Sequence, residues 1–147
     1  MTETIITPSL ELRAGDLRLA LRPDLGGSIA GLWHRDTPIL RSTEPAALVA
    51  SRMSGSYPLV PYSNRLGYRR FRWKGHDYTT QPNFEDNPHS LHGVGWLRSW
   101  EIVSSSTVEV VLRYRHTADA DWPFDFEAHQ YFDLKPDSLH VQMVFTN

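Results

Sequence analysis

Two loop segments carry the residues of this 147-residue chain that are best suited to chemistry. The first, residues 61–65, ends in Arg65, whose guanidinium offers a rigid fork of hydrogen-bond donors. The second, residues 89–96, holds two histidines, two glycines and Trp96 inside a long polar loop. Loops of this length in a compact domain are usually functional or disordered. The spacing alone leaves metal binding, catalysis and packing open for both segments.

A metal site is one interpretation of the second loop. His89 and His92, with Asp86 nearby, would supply three nitrogen or oxygen ligands to zinc or iron. Two histidines three positions apart are common by chance, however, and no second paired cluster of ligands occurs in the chain. We therefore expect no metal.

A basic and aromatic segment, residues 69–74, raises the question of nucleic-acid binding. In a strand, alternation would place Arg70, Arg72 and Lys74 on a solvated face, with Phe71 and Trp73 buried beneath. The chain as a whole has a net charge of -2 and a pI near 6.4. This slightly acidic net charge favours an ordinary solvent-exposed strand face, and we expect no nucleic-acid partner.

Hydrolytic chemistry has little support. No Gly-x-Ser-x-Gly segment is present, which disfavours a serine hydrolase. Four acidic residues surround residues 122–124 and would suit glycoside cleavage if two of them faced each other: Asp119, Asp121, Asp125 and Glu127. Turn placement and strand alternation explain them more simply as solvated residues.

The elements that must position these loops are β-strands. Alternating leucines on both sides of the turn at residues 14–16 predict a hairpin, and strands are predicted again over residues 100–103, 107–116, 124–134 and 139–145. Residues 45–50 are the only plausible helix, one or two turns long, with Pro45 suited to its first turn. Many strands, frequent turns and almost no helix predict an all-β sandwich.

Composition narrows the class of protein further. An apolar fraction of 40% and a charged fraction of 22% are typical of a globular protein with one core. The chain has no cysteine and no window of transmembrane length, so we expect a cytoplasmic protein without a membrane partner.

The last strand is unusual in its position. Apolar residues alternate through residues 139–145, and the chain then ends at Asn147 without an element to cover that strand. Open strand edges are normally covered or blunted. We therefore expect either a homodimer or partner chain at this edge, or a sheet that is incomplete at its C-terminal end.

Four segments together resemble the aldose 1-epimerase (galactose mutarotase) family. Residues 58–66, Pro-Leu-Val-Pro-Tyr-Ser-Asn-Arg-Leu, match the family's P-L-x-P-[FY]-x-N-R-[IL] segment, and Leu-His-Gly at residues 91–93, followed by Trp96 and Trp100, resembles its L-H-G loop. Residues 23–27 resemble the early D-x-G-G turn, and residues 68–78 resemble the F-x-x-x-G-x-x-Y hairpin. All four occur in family order and cover nearly the whole chain.

The resemblance implies a galactose-mutarotase-like supersandwich of which residues 1–147 form the N-terminal part. It implies an aldohexose such as glucose or galactose as the ligand, no cofactor, and interconversion of its α and β anomers by acid–base ring opening. Carried over by position, Arg65 binds sugar hydroxyls and His92 is the catalytic residue that supports charge at the ring oxygen. Asn64 and Trp96 complete the expected substrate-binding set.

The resemblance also implies what is missing. In the family, the general-acid histidine, the sugar-binding aspartate and the general-base glutamate follow the region that this chain matches. His129 mimics the acid because residues 129–132 read His-Gln-Tyr-Phe, yet its surroundings place it in an earlier strand. We therefore expect this chain to carry the sugar-recognition residues without the general acid and the general base. The alternatives are a non-catalytic carbohydrate-binding or assembly module, and a hexose-6-phosphate epimerase relative with Arg69, Arg70 or Arg72 near a phosphate.

Overall fold

Two four-stranded antiparallel sheets are the main elements of the fold. The computed structural model describes residues 9–147, and the first eight residues of the predicted domain lie outside it. The first sheet consists, in order, of β1 (Leu10–Ala14), β2 (Leu17–Arg22), β3 (Ser28–His34) and β4 (Thr37–Pro38). The second consists of β9 (Glu101–Ser105), β10 (Glu109–His116), β11 (Phe126–Lys135) and β12 (Ser138–Thr146). Its strand order is β12-β11-β10-β9.

Two short antiparallel pairs connect the sheets. β5 (Arg65–Leu66) pairs with β8 (Ser90–Leu91), and β6 (Arg70–Trp73) pairs with β7 (His76–Thr79). The connecting segments contain single 3₁₀ turns at Pro45–Ala47, Ser51–Met53, Gly67–Arg69 and Gly95–Leu97. The predicted all-β antiparallel fold is confirmed.

The core lies between the two large sheets. On β10, Val110, Leu112 and Tyr114 are buried, as the alternation predicts, and on β11 the buried set includes Phe132 and Leu134. These side chains join one apolar cluster with residues of β1, β2 and β3. Burial of this continuous apolar layer is the main stabilising term for a sandwich of this kind.

Two local expectations are wrong. Residues 45–50 form no α-helix but a 3₁₀ turn at Pro45–Ala47, after which Leu48 returns to extended backbone. Pro45 suits a first helical turn, but no apolar stripe of helical period follows it to stabilise a longer one. Trp73 is 56% exposed rather than buried, because the aromatic packing on its face of β6 centres on Phe71, which stacks on Tyr78 and Trp122, while Trp73 lies at the end of the strand next to the turn. In residues 9–147 the structure has no helix long and apolar enough to cross a membrane.

Candidate functional site

The two loops that the sequence singles out meet along the β5–β8 pair. Arg65 lies opposite Leu91 and Leu66 lies opposite Ser90. Next to this pair, the N–H groups of Val94 and Gly95 both donate to the carbonyl of Val60, at 3.0 and 3.1 Å. The arginine loop and the Leu-His-Gly loop are therefore one hydrogen-bonded unit.

His92 and Asn64 are joined by a reciprocal pair of hydrogen bonds at the end of β5–β8. The backbone N–H of His92 donates to the Asn64 carbonyl at 2.8 Å, and the backbone N–H of Asn64 donates to Nδ1 of the His92 ring at 2.8 Å. Both residues have positive φ, 64° for Asn64 and 58° for His92. A left-handed conformation costs a non-glycine residue about 1–2 kcal/mol, and these two bonds help to offset it.

The hydrogen bond to Nδ1 fixes the protonation pattern of the His92 ring. Since Nδ1 accepts a hydrogen bond, the neutral ring carries its own proton on Nε2 and presents it as a donor. Burial lowers the pKa of His92, and the positive charge of Arg65 lowers that pKa further. The ring therefore stays neutral at neutral pH, next to a guanidinium that is always charged.

Trp96 lies behind His92 rather than on the open surface. It is 3% exposed, and its indole N–H donates to the carbonyls of Leu91 and Gly93, at 3.1 Å each. Its ring packs edge-on against His92 with centroids 6.1 Å apart, and Tyr57 contacts both rings. Asn64 is exposed, and its side-chain oxygen accepts from Arg65 at 3.4 Å.

The other histidine of the loop has a similar backbone role. Nδ1 of His89 accepts the backbone N–H of Tyr68 at 2.8 Å, and the two rings pack 4.8 Å apart. Tyr68 has a positive φ of 50°. His89 therefore stabilises the strained turn that follows β5, just as His92 stabilises Asn64, the residue before β5. Among residues 9–147, no three histidine, aspartate or glutamate side chains come together as a metal site would require.

Several polar residues that hold the site escaped prediction from the sequence. Ser90 is 1% exposed; its hydroxyl accepts from the Tyr62 hydroxyl at 2.9 Å and lies 2.7 Å from that of Thr80. Asn83 binds the backbone of Leu91 on the opposite side of the loop. These contacts join residues far apart in the chain, and no spacing rule signals them. The Pro-Asn step before Phe84 indicates only a turn.

The acidic cluster forms ion pairs and turns rather than a pair of facing carboxylates. Asp119 and Asp121 both bind Arg98, at 3.0 and 2.6 Å, and Glu127 binds Arg115 at 2.7 Å. The Arg115 hydrogen bond lowers the pKa of Glu127. Burial raises the pKa of Asp119, but hydrogen bonds from the Trp122 backbone and from Arg98 outweigh burial and hold that pKa below its ordinary value. Neither carboxyl has the raised pKa of a general acid.

His129 lies on β11 in the outward-facing set of residues. Its neighbours in the sequence, Ala128 and Gln130, are buried, whereas its ring packs on Tyr131 with centroids 6.0 Å apart and Nε2 lies 3.6 Å from Glu127. None of these contacts links His129 to Arg65 or His92.

The antiparallel β-sandwich, with Arg65 on β5 and His92 directly after β8, has the fold of galactose-mutarotase-like proteins. A family model described as aldose 1-epimerase matches residues 8–147. The chain belongs to the aldose 1-epimerase family. The predicted family and the predicted mutarotase-like fold are both confirmed.

Individual relatives agree with this assignment. The uncharacterized protein YphB of Escherichia coli (strain K12) is 38% identical over 136 residues, which are 92% of this chain and 45% of YphB. The crystal structure of a candidate aldose 1-epimerase from Escherichia coli K12 is 36% identical and superposes with a TM-score of 0.82, over 95% of this chain and 46% of that one.

A more distant structure shares the fold. The GalM/aldose epimerase homologue from C. elegans is 19% identical, with a TM-score of 0.73 over 92% of this chain and 45% of its own. The chain thus spans about half the length of the relatives that it matches.

Proposed function

We propose that this chain binds an aldohexose at Arg65 and His92 and supplies the sugar-recognition part of an aldose 1-epimerase reaction. The observation that carries the proposal is the bond from the Asn64 backbone N–H to Nδ1 of His92, at 2.8 Å. It leaves the neutral ring with an Nε2–H donor, beside the exposed guanidinium of Arg65. Two neighbouring donors of this kind suit a ligand rich in hydroxyl oxygens.

The chemistry that this pair supports is stabilisation of charge at the sugar ring oxygen. Interconversion of anomers needs an acid that protonates the ring oxygen and a base that removes the anomeric hydroxyl proton. The ring then opens, the aldehyde carbon rotates, and closure gives the other anomer. In this scheme the Nε2–H of His92 donates to the ring oxygen or to a neighbouring hydroxyl, and Arg65 binds hydroxyls and fixes the orientation of the sugar.

The four residues have different parts in this proposal. Arg65 and His92 contact the sugar, and Asn64 shapes the turn that holds Arg65. Trp96 supports His92 from below, consistent with its 3% exposure. The acid and the base are not assigned to residues of this chain. The cytoplasmic location stays a prediction.

Polarimetry of freshly dissolved α-glucose and α-galactose tests the proposal. The expected result for an active protein is faster approach to equilibrium, lost in His92→Ala and Arg65→Ala while Arg72→Ala stays at the wild-type rate. Arg72 is the matched control because it is exposed on β6 and, in residues 9–147, its side-chain hydrogen bond and ion pair both lie within the β6–β7 hairpin. Saturation-transfer NMR on the same samples separates binding from catalysis.

Sugar binding without acceleration would support the non-catalytic carbohydrate-binding module instead. Binding of glucose 6-phosphate but not of glucose would support the hexose-6-phosphate relative. If neither sugar nor sugar phosphate binds, the assignment of Arg65 and His92 is wrong.

A further inference from the structure

Asn83 makes three hydrogen bonds to the backbone on either side of His92. Its side-chain oxygen accepts the N–H of Leu91 at 2.7 Å. Its side-chain nitrogen donates to the carbonyl of Leu91 at 2.8 Å and to the carbonyl of Gly93 at 3.1 Å. One amide therefore binds the residues immediately before and after the proposed catalytic histidine.

The same two carbonyls receive a second donor. The indole N–H of Trp96 lies 3.1 Å from each of them. His92 and Gly93 both have positive φ, 58° and 67°, and the backbone leaves the pairing of β8 with β5 at this point. Backbone carbonyls that leave a ladder in a half-buried loop need donors from side chains or water. Asn83 and Trp96 supply them.

Asparagine is the side chain that fits these contacts. Its amide has an acceptor for one N–H and two donor hydrogens for two carbonyls. The partners also fix which way the amide points, because the N–H of Leu91 needs an oxygen and the carbonyls need a nitrogen. Aspartate would keep the acceptor but lose both donors, and alanine would lose all three bonds.

We propose that Asn83, together with Trp96, is a positioning residue that sets the orientation of the His92 ring. It does so by holding the Leu91 and Gly93 carbonyls, so that Nδ1 of His92 meets the Asn64 N–H and Nε2–H points outward. The claim about the ring stands on the hydrogen bonds alone; its consequence for a sugar rests on the proposed function above.

The test is ¹⁵N NMR of the histidine rings in Asn83→Asp and Asn83→Ala, since the ¹⁵N shift distinguishes a protonated from an unprotonated ring nitrogen. The expected result is that His92 loses its single tautomer and shows averaged Nδ1 and Nε2 signals in both variants. Asn87→Ala is the matched control. Asn87 is in the same loop and accepts the backbone N–H of His89 at 2.9 Å, but it makes no bond to Leu91 or Gly93. We expect it to leave the His92 signals unchanged.

Trp96→Phe keeps the proposal testable if the Asn83 variants do not fold. It removes one shared donor and retains most of the ring, and we expect it to shift the His92 signals in the same direction. Unchanged His92 signals in a folded Asn83→Asp, or in Trp96→Phe when the Asn83 variants unfold, would overturn the proposal. Equal changes in Asn87→Ala would also overturn it.

Activity provides a separate readout. If the protein accelerates anomer exchange, loss of the ring orientation should lower kcat by about 10²-fold with a smaller change in KM. If no sugar binds but the His92 signals move as expected, the positioning role stands and only the proposed function fails.

Discussion

The β10–β11 ladder and the β5–β8 pair are held together in different ways. β10 and β11 pair through eight consecutive positions and bury an apolar face against the opposite sheet. β5 and β8 pair at two positions, and Arg65 is exposed. Around them, side chains such as Asn83, His92 and His89 bind the backbone directly.

This difference separates stability from site geometry. The β10–β11 ladder tolerates the loss of a single contact because many contacts contribute to its stability, but loss of the whole ladder would unfold the domain. The site depends on a few polar contacts, each of which one substitution removes. We therefore expect substitutions in the ladder to change unfolding and substitutions around β5–β8 to change the His92 ring with modest effects on unfolding.

Phe132→Ala is expected to have the largest effect on stability. Phe132 is 2% exposed in the core, so truncation leaves a cavity and should lower the free energy of unfolding by about 3–5 kcal/mol. Urea unfolding measures the change. Tyr131→Ala is the matched control on the same strand, where the ring is 38% exposed and the expected cost is about 1 kcal/mol or less. Equal costs for the two variants would contradict the assignment of the core.

Gly93→Ala adds only one methyl group but should disturb both the stability of the protein and the geometry of the site. Gly93 has φ +67°, and a Cβ there would lie 2.3 Å from the Val60 carbonyl oxygen. Gly75→Ala is the control, because Gly75 has φ +79° but nothing within 4 Å of the added atom. The backbone conformation alone costs about 1–2 kcal/mol in both. Urea unfolding should show a larger loss for Gly93→Ala, with shifted His92 ring signals in that variant only. Similar results for both would remove the steric argument.

The exposed face of β12 should promote self-association. Val141, Met143 and Phe145 are 45%, 42% and 44% exposed, and in residues 9–147 β12 pairs only with β11. Sedimentation velocity is expected to show association that rises with concentration. Val141→Lys should weaken it about tenfold, or about 1.4 kcal/mol, because pairing would then bury a charge. His140→Lys, on the opposite face, should weaken it less. A monodisperse monomer at all concentrations would contradict this prediction.

The smallest expected effect concerns the titration of His92. Burial is the larger cause of its lowered pKa and the charge of Arg65 the smaller, so Arg65→Gln should raise the pKa only part of the way towards the ordinary value. NMR titration of the ring measures this, and Arg72→Gln should leave the pKa of His92 unchanged. A pKa unaffected by Arg65→Gln would show that the two side chains do not interact.

The same shift sets a direction for stability. The folded protein resists protonation of His92 more than the unfolded chain does. The contribution of this residue is therefore full above the ordinary histidine pKa of about 6.5 and is lost as the pH falls through the lower folded value. His92→Gln should flatten that part of the stability profile in urea unfolding at several pH values.

The strands could be predicted from the sequence because alternation has a physical cause that acts locally. Leu112 and Tyr114 face the core because successive residues of a strand face opposite sides. The exposure of Trp73 could not be predicted, since alternation gives two faces but does not say whether anything covers either one. The prediction of a helix over residues 45–50 was wrong because Pro45 permits one helical turn but does not require a second.

The site was predictable only in part. The resemblance indicated Arg65 and His92, and the structure brings their two loops together. The roles of Asn83 and His89 were not predictable. Each binds the backbone of a residue that lies between 8 and 21 positions away, and such contacts depend on the finished fold.

The ¹⁵N signals of His92 during a titration with galactose or glucose test the central claim most directly. We predict that Nε2 shifts as the sugar binds, because its proton is donated to the ligand, while Nδ1 keeps its bond to Asn64. Arg65→Ala should weaken the response without changing the signals of the free protein's Nδ1. Saturation of the protein with sugar that leaves Nε2 unmoved would contradict the account.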